Sequence, residues 1–166
     1  FYAYVDLAKN NFSFDLNTNS YRELINQGMK IKHAVMNEDK EILHPFEKDL
    51  SFLYGTIFID NNKQPSGADS KNVCIFAEGE VDRCPTGSGV SGRMAIHRAR
   101  KEIDYSDIMT IESITGSVFK SSIICEENYG PFKAVIPQVE GTAHITGMQT
   151  FVIDPNDPMK DGFILR

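Results

Sequence analysis

The segment of this chain with the clearest chemical potential is residues 82–89, Asp-Arg-Cys-Pro-Thr-Gly-Ser-Gly. It follows the apolar run 73–77 and leads into a helix-like segment from Val90 to Lys101. The first N–H groups of a helix lack intrahelical partners and the helix dipole adds positive charge there, so an anion is favoured. Asp82 adds a negative charge that suits an ammonium group. The segment therefore predicts a site for a zwitterionic amino acid, and a turn that serves packing alone stays the alternative.

Cys84 and Thr86 are the candidate reactive side chains of this segment. A thiol near a helix N-terminus can act as a base or nucleophile, but Cys84 lies on the approach to the turn. Thr86 lies at the predicted helix start, where a hydroxyl commonly caps the helix. Phe76, on the preceding strand, is either an apolar wall of the site or a core residue. We predict structural roles for the histidines at positions 33, 44, 97 and 144.

The composition limits the classes of partner. The 166 residues are 41% hydrophobic, which is enough for one ordinary domain with a core. A net charge of −6 and a pI near 5.2 argue against nucleic acid and anionic membranes as partners. Three cysteines without CxxC spacing support neither a disulfide framework nor a zinc site. No apolar stretch is long enough to span a bilayer, and we expect a cytoplasmic protein.

The hydrophobic pattern predicts two helices among many strands. Helical spacing covers residues 21–36, where Ser20 and Glu23 fit a capping box. A second helix, residues 89–101, has mostly small side chains on one face, at positions 92, 95, 96, 99 and 103. Strands are predicted over residues 1–6, 50–60, 71–77, 109–114, 118–125, 132–139, 143–146, 148–154 and 162–165. Without βαβ alternation, this order predicts an α+β fold in which strands wrap the second helix.

The 82–89 segment resembles the signature of the second half of the proline racemase family, Asp-Arg-Ser-Pro-Cys-Gly-Thr-Gly. Further agreement extends over nearly the whole chain. It includes Phe1-Tyr2-Ala3, His44-Pro45, Ile75-Phe76, Gly116-Ser117-x-Phe119, Gly141-x-Ala143, Ile145-Thr146-Gly147, Asp157-Pro158 and Gly162-Phe163. The resemblance implies an α+β half of the diaminopimelate epimerase type, with a mostly antiparallel sheet around the 89–101 helix. It implies no metal and no pyridoxal phosphate.

One position departs from the racemase pattern in an informative way. Racemases of the family use two cysteines on opposite faces of the α-carbon, and Thr86 stands at the second of these positions. The same exchange is found in the branch that dehydrates trans-3-hydroxy-L-proline, which reads Pro-Thr-Gly-Ser-Gly here. A threonine hydroxyl is far too weak an acid or base to serve the second face at neutral pH. Dehydration needs only one base, and Thr86 would then position the substrate or its leaving hydroxyl.

The resemblance also assigns binding roles residue by residue. Asp82 would hold the ring nitrogen of a proline-like amino acid, and Phe76 would form an apolar wall against the ring. The backbone N–H groups of Gly87, Ser88 and Gly89 would bind the carboxylate and stabilise the carbanion-like state. Cys84 stands where the family usually has serine, and its two-residue offset from position 86 argues against a second-base role.

Residues 1–166 match only the second half of the family, which has its active site between two similar halves. The first cysteine, in a Met-Cys-Gly-His element, belongs to the other half, so we expect this chain alone to be inactive. We divide it into a half-domain, residues 1–142, and a tail, residues 143–166, that packs on the missing N-terminal half. The expected partners are that half and a small-molecule substrate, and a homodimer stays open. A proline racemase or hydroxyproline 2-epimerase and a non-catalytic amino-acid-binding domain are the alternatives.

Overall fold

The computed structural model describes residues 1–38 and 42–163 and shows an α+β fold built on one mixed sheet. Its strands are β1 (Tyr2–Asp6), β2 (Gly55–Asp60), β3 (Ser70–Phe76), β4 (Glu80–Val81), β5 (Met109–Glu112), β6 (Val118–Tyr129) and β7 (Phe132–Glu140). The helices are α1 (Leu7–Asn10), α2 (Tyr21–Asn37) and α3 (Gly87–Ala99), and short 3-10 turns cover Thr18–Ser20 and Lys48–Leu50. The predicted α+β class is confirmed. The finer likeness to diaminopimelate epimerase stays a prediction.

The strand order is β1-β2-β3-β5-β6-β7, with β4 paired to β3. The β1–β2 and β3–β5 pairs are parallel and the other pairs are antiparallel. One edge of β3 is divided between two partners. The β4 strand pairs with Ile75 and Phe76, while β5 pairs with Ser70 and Lys71 at the other end. The middle of that edge, residues 72–74, is therefore left for contacts with the chain that leads into α3.

The two long helices pack on opposite faces of the sheet. Alternate residues of β3 point to opposite sides, so each helix contacts a different set of them. Helix α2 covers Val73 and Ile75 in a cluster with Leu24 and Phe58. It approaches so closely that a Cβ on Gly28 would lie 2.7 Å from the Ile75 side chain. The predicted capping box is wrong, since the Ser20 side chain makes no cap hydrogen bond and its hydroxyl contacts Asn17 instead.

Helix α3 lies on the other face and carries the candidate site at its start. It begins and ends two residues earlier than the predicted 89–101 helix. The predicted small-residue face is not the buried one: Gly89, Val90, Arg93 and Met94 are buried, and Ala99 is exposed. Apolar periodicity could not reveal this face because it includes a charged side chain, Arg93, whose terminal nitrogens are hydrogen-bonded to buried polar groups. Val90 and Met94 pack with Ile103, Ile111, Ile123 and residues of the β6–β7 hairpin.

The strands predicted at 143–146 and 148–154 are not formed, and residues 141–163 contain no helix or strand. Their apolar side chains are largely exposed, at Ile145, Met148, Phe151, Val152 and Ile153. An alternating apolar pattern makes a strand only where a neighbouring strand supplies hydrogen bonds, and the described residues offer none here. The predicted strand at 162–165 falls partly outside the described residues. Across the described ranges, no helix has the length and apolar character needed to cross a membrane.

Candidate active site

Residues 82–86 connect β4 to α3 beside the unpaired middle of the β3 edge. The Asp82 N–H donates to the Cys74 carbonyl at 3.0 Å. The Arg83 carbonyl accepts hydrogen bonds from the hydroxyls of Thr115, at 2.7 Å, and Ser117, at 3.2 Å. Short side chains from the β5–β6 turn thus hold the connecting segment at Arg83. These contacts fix the turn through its main chain.

Thr86 occupies the N-cap position of α3 but does not cap it. Its φ and ψ are 66° and 96°, and its side chain makes no hydrogen bond to the helix. The hydroxyl donates instead to Asp82 Oδ2 at 2.8 Å. Positive φ is rare for a β-branched residue, and such strain persists only where surrounding contacts enforce it. The strained backbone of Thr86 therefore goes together with a side chain that is held on Asp82.

Asp82 has its carboxylate held at both oxygens. Oδ1 accepts the N–H of Cys84 at 3.1 Å, and Oδ2 accepts the Thr86 hydroxyl. Within the described residues, no lysine, arginine or histidine forms a salt bridge with it. A partly buried carboxylate without a cation of its own is suited to an ammonium or secondary amine from a ligand.

The start of α3 is bound to the first strand by two tyrosine hydroxyls. The Tyr2 and Ser88 hydroxyls lie 2.7 Å apart, and the Tyr4 hydroxyl donates to the Gly89 carbonyl at 2.8 Å. The first intrahelical bond runs from the Val90 N–H to the Thr86 carbonyl. The N–H groups of residues 87–89 precede that bond and form the positive end of the helix.

A cleft of about 490 Å³ opens over this helix start. Four of the six predicted site residues line it, namely Asp82, Thr86, Gly87 and Ser88. The others do not. Gly89 lies on the buried side of α3, where a Cβ would lie 2.3 Å from Ile57 Cδ1 of the sheet. Phe76 lies behind Tyr54, with the two rings stacked at 5.5 Å and an interplanar angle of 8°.

The sequence reasoning missed the aromatic side of the cleft, formed by Phe1, Tyr2, Phe52 and Tyr54. The rings of Tyr2 and Tyr54 meet edge to face at 5.5 Å. Parallel pairing of β1 with β2 sets Tyr2 opposite Gly55 and so brings the two segments together. His44, predicted to be structural, also lines the cleft, and its Nδ1 accepts the Glu47 N–H at 2.9 Å. The only available signal was the aromatic content of residues 1–4 and 52–54.

The two thiols near the site are poorly suited to act as bases. Burial raises the pKa of Cys74 to about 12. Burial also raises the pKa of Cys84, and the nearby Asp82 carboxylate adds to the rise, while the N–H groups of Thr86 and Gly87 oppose it. Cys84 Sγ accepts the Thr86 N–H at 3.3 Å. This thiol therefore supports the turn, and it does not line the cleft.

The family model for proline racemase matches residues 1–164 of this chain. The chain belongs to the proline racemase family. The resemblance predicted from residues 82–89 and the scattered motifs is thereby confirmed. Since the match extends over both sheet and tail, the whole described fold belongs to the family architecture.

Curated relatives within the family include several named trans-3-hydroxy-L-proline dehydratase. The protein of that name from Colwellia psychrerythraea is 46% identical over 166 residues, which is 100% of this chain and 46% of the relative. Those from Burkholderia cenocepacia and Homo sapiens are 40% and 39% identical over the whole chain and are covered to 48% and 46%. The chain thus spans about half the length of the curated relatives that it matches.

Solved structures with the same fold include a hydroxyproline epimerase from Agrobacterium vitis with bound trans-4-hydroxy-L-proline. It superposes with a TM-score of 0.83 at 28% identity, covering 99% of this chain and 46% of that one. A probable proline racemase from Agrobacterium radiobacter, with bound carbonate, gives a TM-score of 0.83 at 27% identity and coverages of 99% and 47%. The fold is therefore shared with members of the family that carry different names.

Proposed function

We propose that this chain supplies half of the active site of a cofactor-independent hydro-lyase that dehydrates trans-3-hydroxy-L-proline. The observation that carries the proposal is Thr86, which lines the cleft with its hydroxyl on Asp82. It stands where the racemases of the family have their second cysteine. The dehydratase names of the curated relatives, at 39–46% identity, agree with this exchange.

The binding mode follows from the charges around the cleft. The Asp82 carboxylate would hold the protonated ring nitrogen, since it has no cation partner of its own in the described residues. The N–H groups of Gly87 and Ser88 at the start of α3 would bind the substrate carboxylate. Tyr54, stacked on Phe76, would lie against the ring as the apolar wall. Phe76 would support Tyr54 from behind, and the Gly89 N–H would be a third donor to the substrate carboxylate.

The proposed reaction needs one base. A cysteine thiolate in the other half of the protein would remove the α-proton, and electrons from that bond would form the Cα–Cβ double bond as the β-hydroxyl leaves. The departing hydroxide takes the proton that the thiol has just received and leaves as water, and the enamine product tautomerises to the cyclic imine. Helix N–H groups would stabilise negative charge on the substrate carboxylate during proton removal. Thr86 is too weak an acid to return a proton to the opposite face, and neither Cys74 nor Cys84 lines the cleft, so configuration at Cα would not be inverted.

We further propose that the missing half is the principal partner of this chain. The half-domain, residues 1–142, would present the cleft, and the tail, residues 143–166, would place its apolar side chains on the other half. The exposure of Ile145, Met148 and Phe151 supports such packing. On this proposal the isolated chain binds substrate weakly, does not turn it over, and belongs to a cytoplasmic enzyme. A homodimer of the complete protein is compatible with it.

A racemase or epimerase is the second candidate, and the names of the two solved neighbours favour it. It would need a second base despite Thr86. A non-catalytic amino-acid-binding domain is the third candidate, and it becomes the better one if the other half lacks the cysteine. The distinction among the three depends on one property, namely the fate of the α-proton.

The deciding experiment incubates the full-length protein in deuterated water with trans-3-hydroxy-L-proline and, separately, with L-proline. We expect cyclic imine from the hydroxylated substrate, and we expect L-proline to keep its configuration. Formation of deuterated D-proline from L-proline would refute the dehydratase proposal and show that the protein is a racemase. Neither product, with binding of both amino acids by calorimetry, would establish the binding domain.

A further inference from the structure

We propose that Asn72 is a positioning residue that holds Thr86 in its strained conformation, and that Arg93 sets the orientation of the Asn72 amide. Asn72 is completely buried in the middle of β3, between the two stretches of one strand edge that pair with β4 and with β5. Its Nδ2 donates to the Pro85 carbonyl at 3.3 Å, and its Oδ1 accepts from Arg93 Nη1 at 2.8 Å. The inference deepens the proposed function, on which its kinetic test rests.

The Pro85 carbonyl matters because it belongs to the peptide group that enters Thr86. That group is planar, so its carbonyl and the Thr86 N–H point to opposite sides. Asn72 binds the carbonyl end, and Cys84 Sγ binds the N–H end at 3.3 Å. With both ends held, the plane cannot rotate, and Thr86 is kept at a φ of 66° with its hydroxyl on Asp82. Loss of either contact would let Thr86 relax toward negative φ.

Arg93 makes the amide orientation unambiguous. Its side chain is 1% exposed, and within the described residues it has no carboxylate partner. The guanidinium donates through Nη1 to Ser70 Oγ and Asn72 Oδ1, and through Nη2 to Asn61 Oδ1. Arginine has donors only, so the Asn72 oxygen must face it and the Asn72 NH₂ must face Pro85. Arg93 of α3 thereby fixes the hydrogen bond from Asn72 to Pro85, which lies in the segment that leads into the same helix.

The test compares N72D with S70A in the full-length protein. Asp is nearly isosteric and still accepts from Arg93, but it presents an oxygen to the Pro85 carbonyl and cannot hold it. S70A removes the other Nη1 acceptor of Arg93 and leaves the Pro85 contact intact. We expect kcat for dehydration to fall on the order of a hundred-fold in N72D, as for a misplaced catalytic geometry. We expect S70A to lower the unfolding midpoint while its kcat stays near that of the wild type.

A wild-type kcat in N72D, or equal losses in both variants, would overturn the inference. A second readout does not depend on turnover: the crystal structure of N72D should show Thr86 at negative φ with its hydrogen bond to Asp82 broken. If Thr86 keeps its positive φ, Asn72 does not position it, whatever the enzyme does. If N72D does not fold, N72S leaves the same carbonyl unpaired without adding charge and takes its place. A wild type that dehydrates nothing would refute the proposed function and leave this structural readout to decide the role of Asn72.

Discussion

Thr86 and Asp82 are joined by a 2.8 Å hydrogen bond in which the threonine hydroxyl is the donor. Because the single hydroxyl proton is committed to the carboxylate, the Thr86 oxygen offers only lone pairs to the cleft. It can therefore accept a hydrogen bond from a ligand hydroxyl or ammonium but cannot donate one. This arrangement suits a substrate that brings its own donor, such as a hydroxylated proline, and it offers no acid to the α-carbon.

Replacement of Thr86 by cysteine should add a second acid-base group to the site. We expect T86C in the full-length protein to convert L-proline to D-proline with exchange of the α-proton for solvent deuterium, an activity absent from the wild type. Mass spectrometry and chiral chromatography of recovered proline measure this conversion. T86S, which keeps the hydroxyl, is the matched control and should retain dehydration without forming D-proline. Absence of D-proline with T86C would mean that this residue alone does not separate the two reactions.

The charge of Asp82 should be required for substrate binding. D82N preserves the shape of the side chain but removes its negative charge, so an ammonium loses a charge-assisted hydrogen bond. We expect kcat/KM to fall on the order of a hundred-fold, the upper range for a hydrogen bond to a charged group. The control is D15N, which removes one charge from an exposed side chain outside the cleft lining. Similar kinetics for D82N and D15N would remove Asp82 from the site.

The two glycines at the start of α3 should respond differently to alanine. A Cβ on Gly89 would lie 2.3 Å from Cδ1 of the fully buried Ile57, whereas a Cβ on Gly87 would meet nothing closer than 4.0 Å. We expect G89A to reduce the free energy of unfolding by about 1–3 kcal/mol, the usual cost of overpacking. G87A should be neutral or slightly stabilising because alanine favours helix. Urea denaturation of both variants measures the difference, and equal stabilities would place the close contact elsewhere.

The ion pair of Glu112 should make stability depend on pH in the acid range. Burial by itself raises the pKa of Glu112, but hydrogen bonds from Lys71, at 2.8 Å, and Ser66, with the Lys71 charge, outweigh it and lower the pKa overall. A carboxyl with a lowered folded pKa stabilises the fold above its unfolded pKa and loses this contribution as pH falls through the folded value.

E112Q should therefore lower the free energy of unfolding at neutral pH by about 1–3 kcal/mol, since it leaves Lys71 without its charged partner. It should also flatten the loss of stability on acidification below the ordinary glutamate pKa. Urea titrations at several pH values test both effects. E127Q changes an exposed glutamate and is the control. A pH profile for E112Q identical to that of the wild type would contradict the assigned role of the pair.

Local sequence patterns predicted the parts of the site that are close together along the chain. Asp82, Thr86, Gly87 and Ser88 lie within one turn and one helix start, so their proximity follows from spacing. Tyr54 could not be predicted, because it reaches the cleft only through the parallel pairing of β1 with β2. Long-range pairing of this kind leaves no signal in either segment alone.

The buried face of α3 was mispredicted for a different reason. Arg93 is nearly inaccessible, yet its two terminal nitrogens contact four polar side chains, including His97, while its Nε has no hydrogen-bond partner among the described residues. A hydrophobic pattern assigns arginine to the surface, so it does not indicate a buried helix face that contains Arg93. The strands predicted in residues 143–154 are not formed because an apolar pattern alone does not make a strand. A strand also needs a neighbouring strand for its backbone hydrogen bonds, and none pairs with this segment among the described residues.

The aromatic rim of the cleft also provides an optical reporter. The chain contains six tyrosines and no tryptophan, so its near-ultraviolet emission comes from tyrosine alone. Tyr2 and Tyr54 line the cleft, and the Tyr2 hydroxyl is hydrogen-bonded to Ser88 at the start of α3. An amino acid that occupies the helix start would alter the surroundings of both phenols. Titrations followed by intrinsic fluorescence can therefore report occupancy of this half-site without any added label.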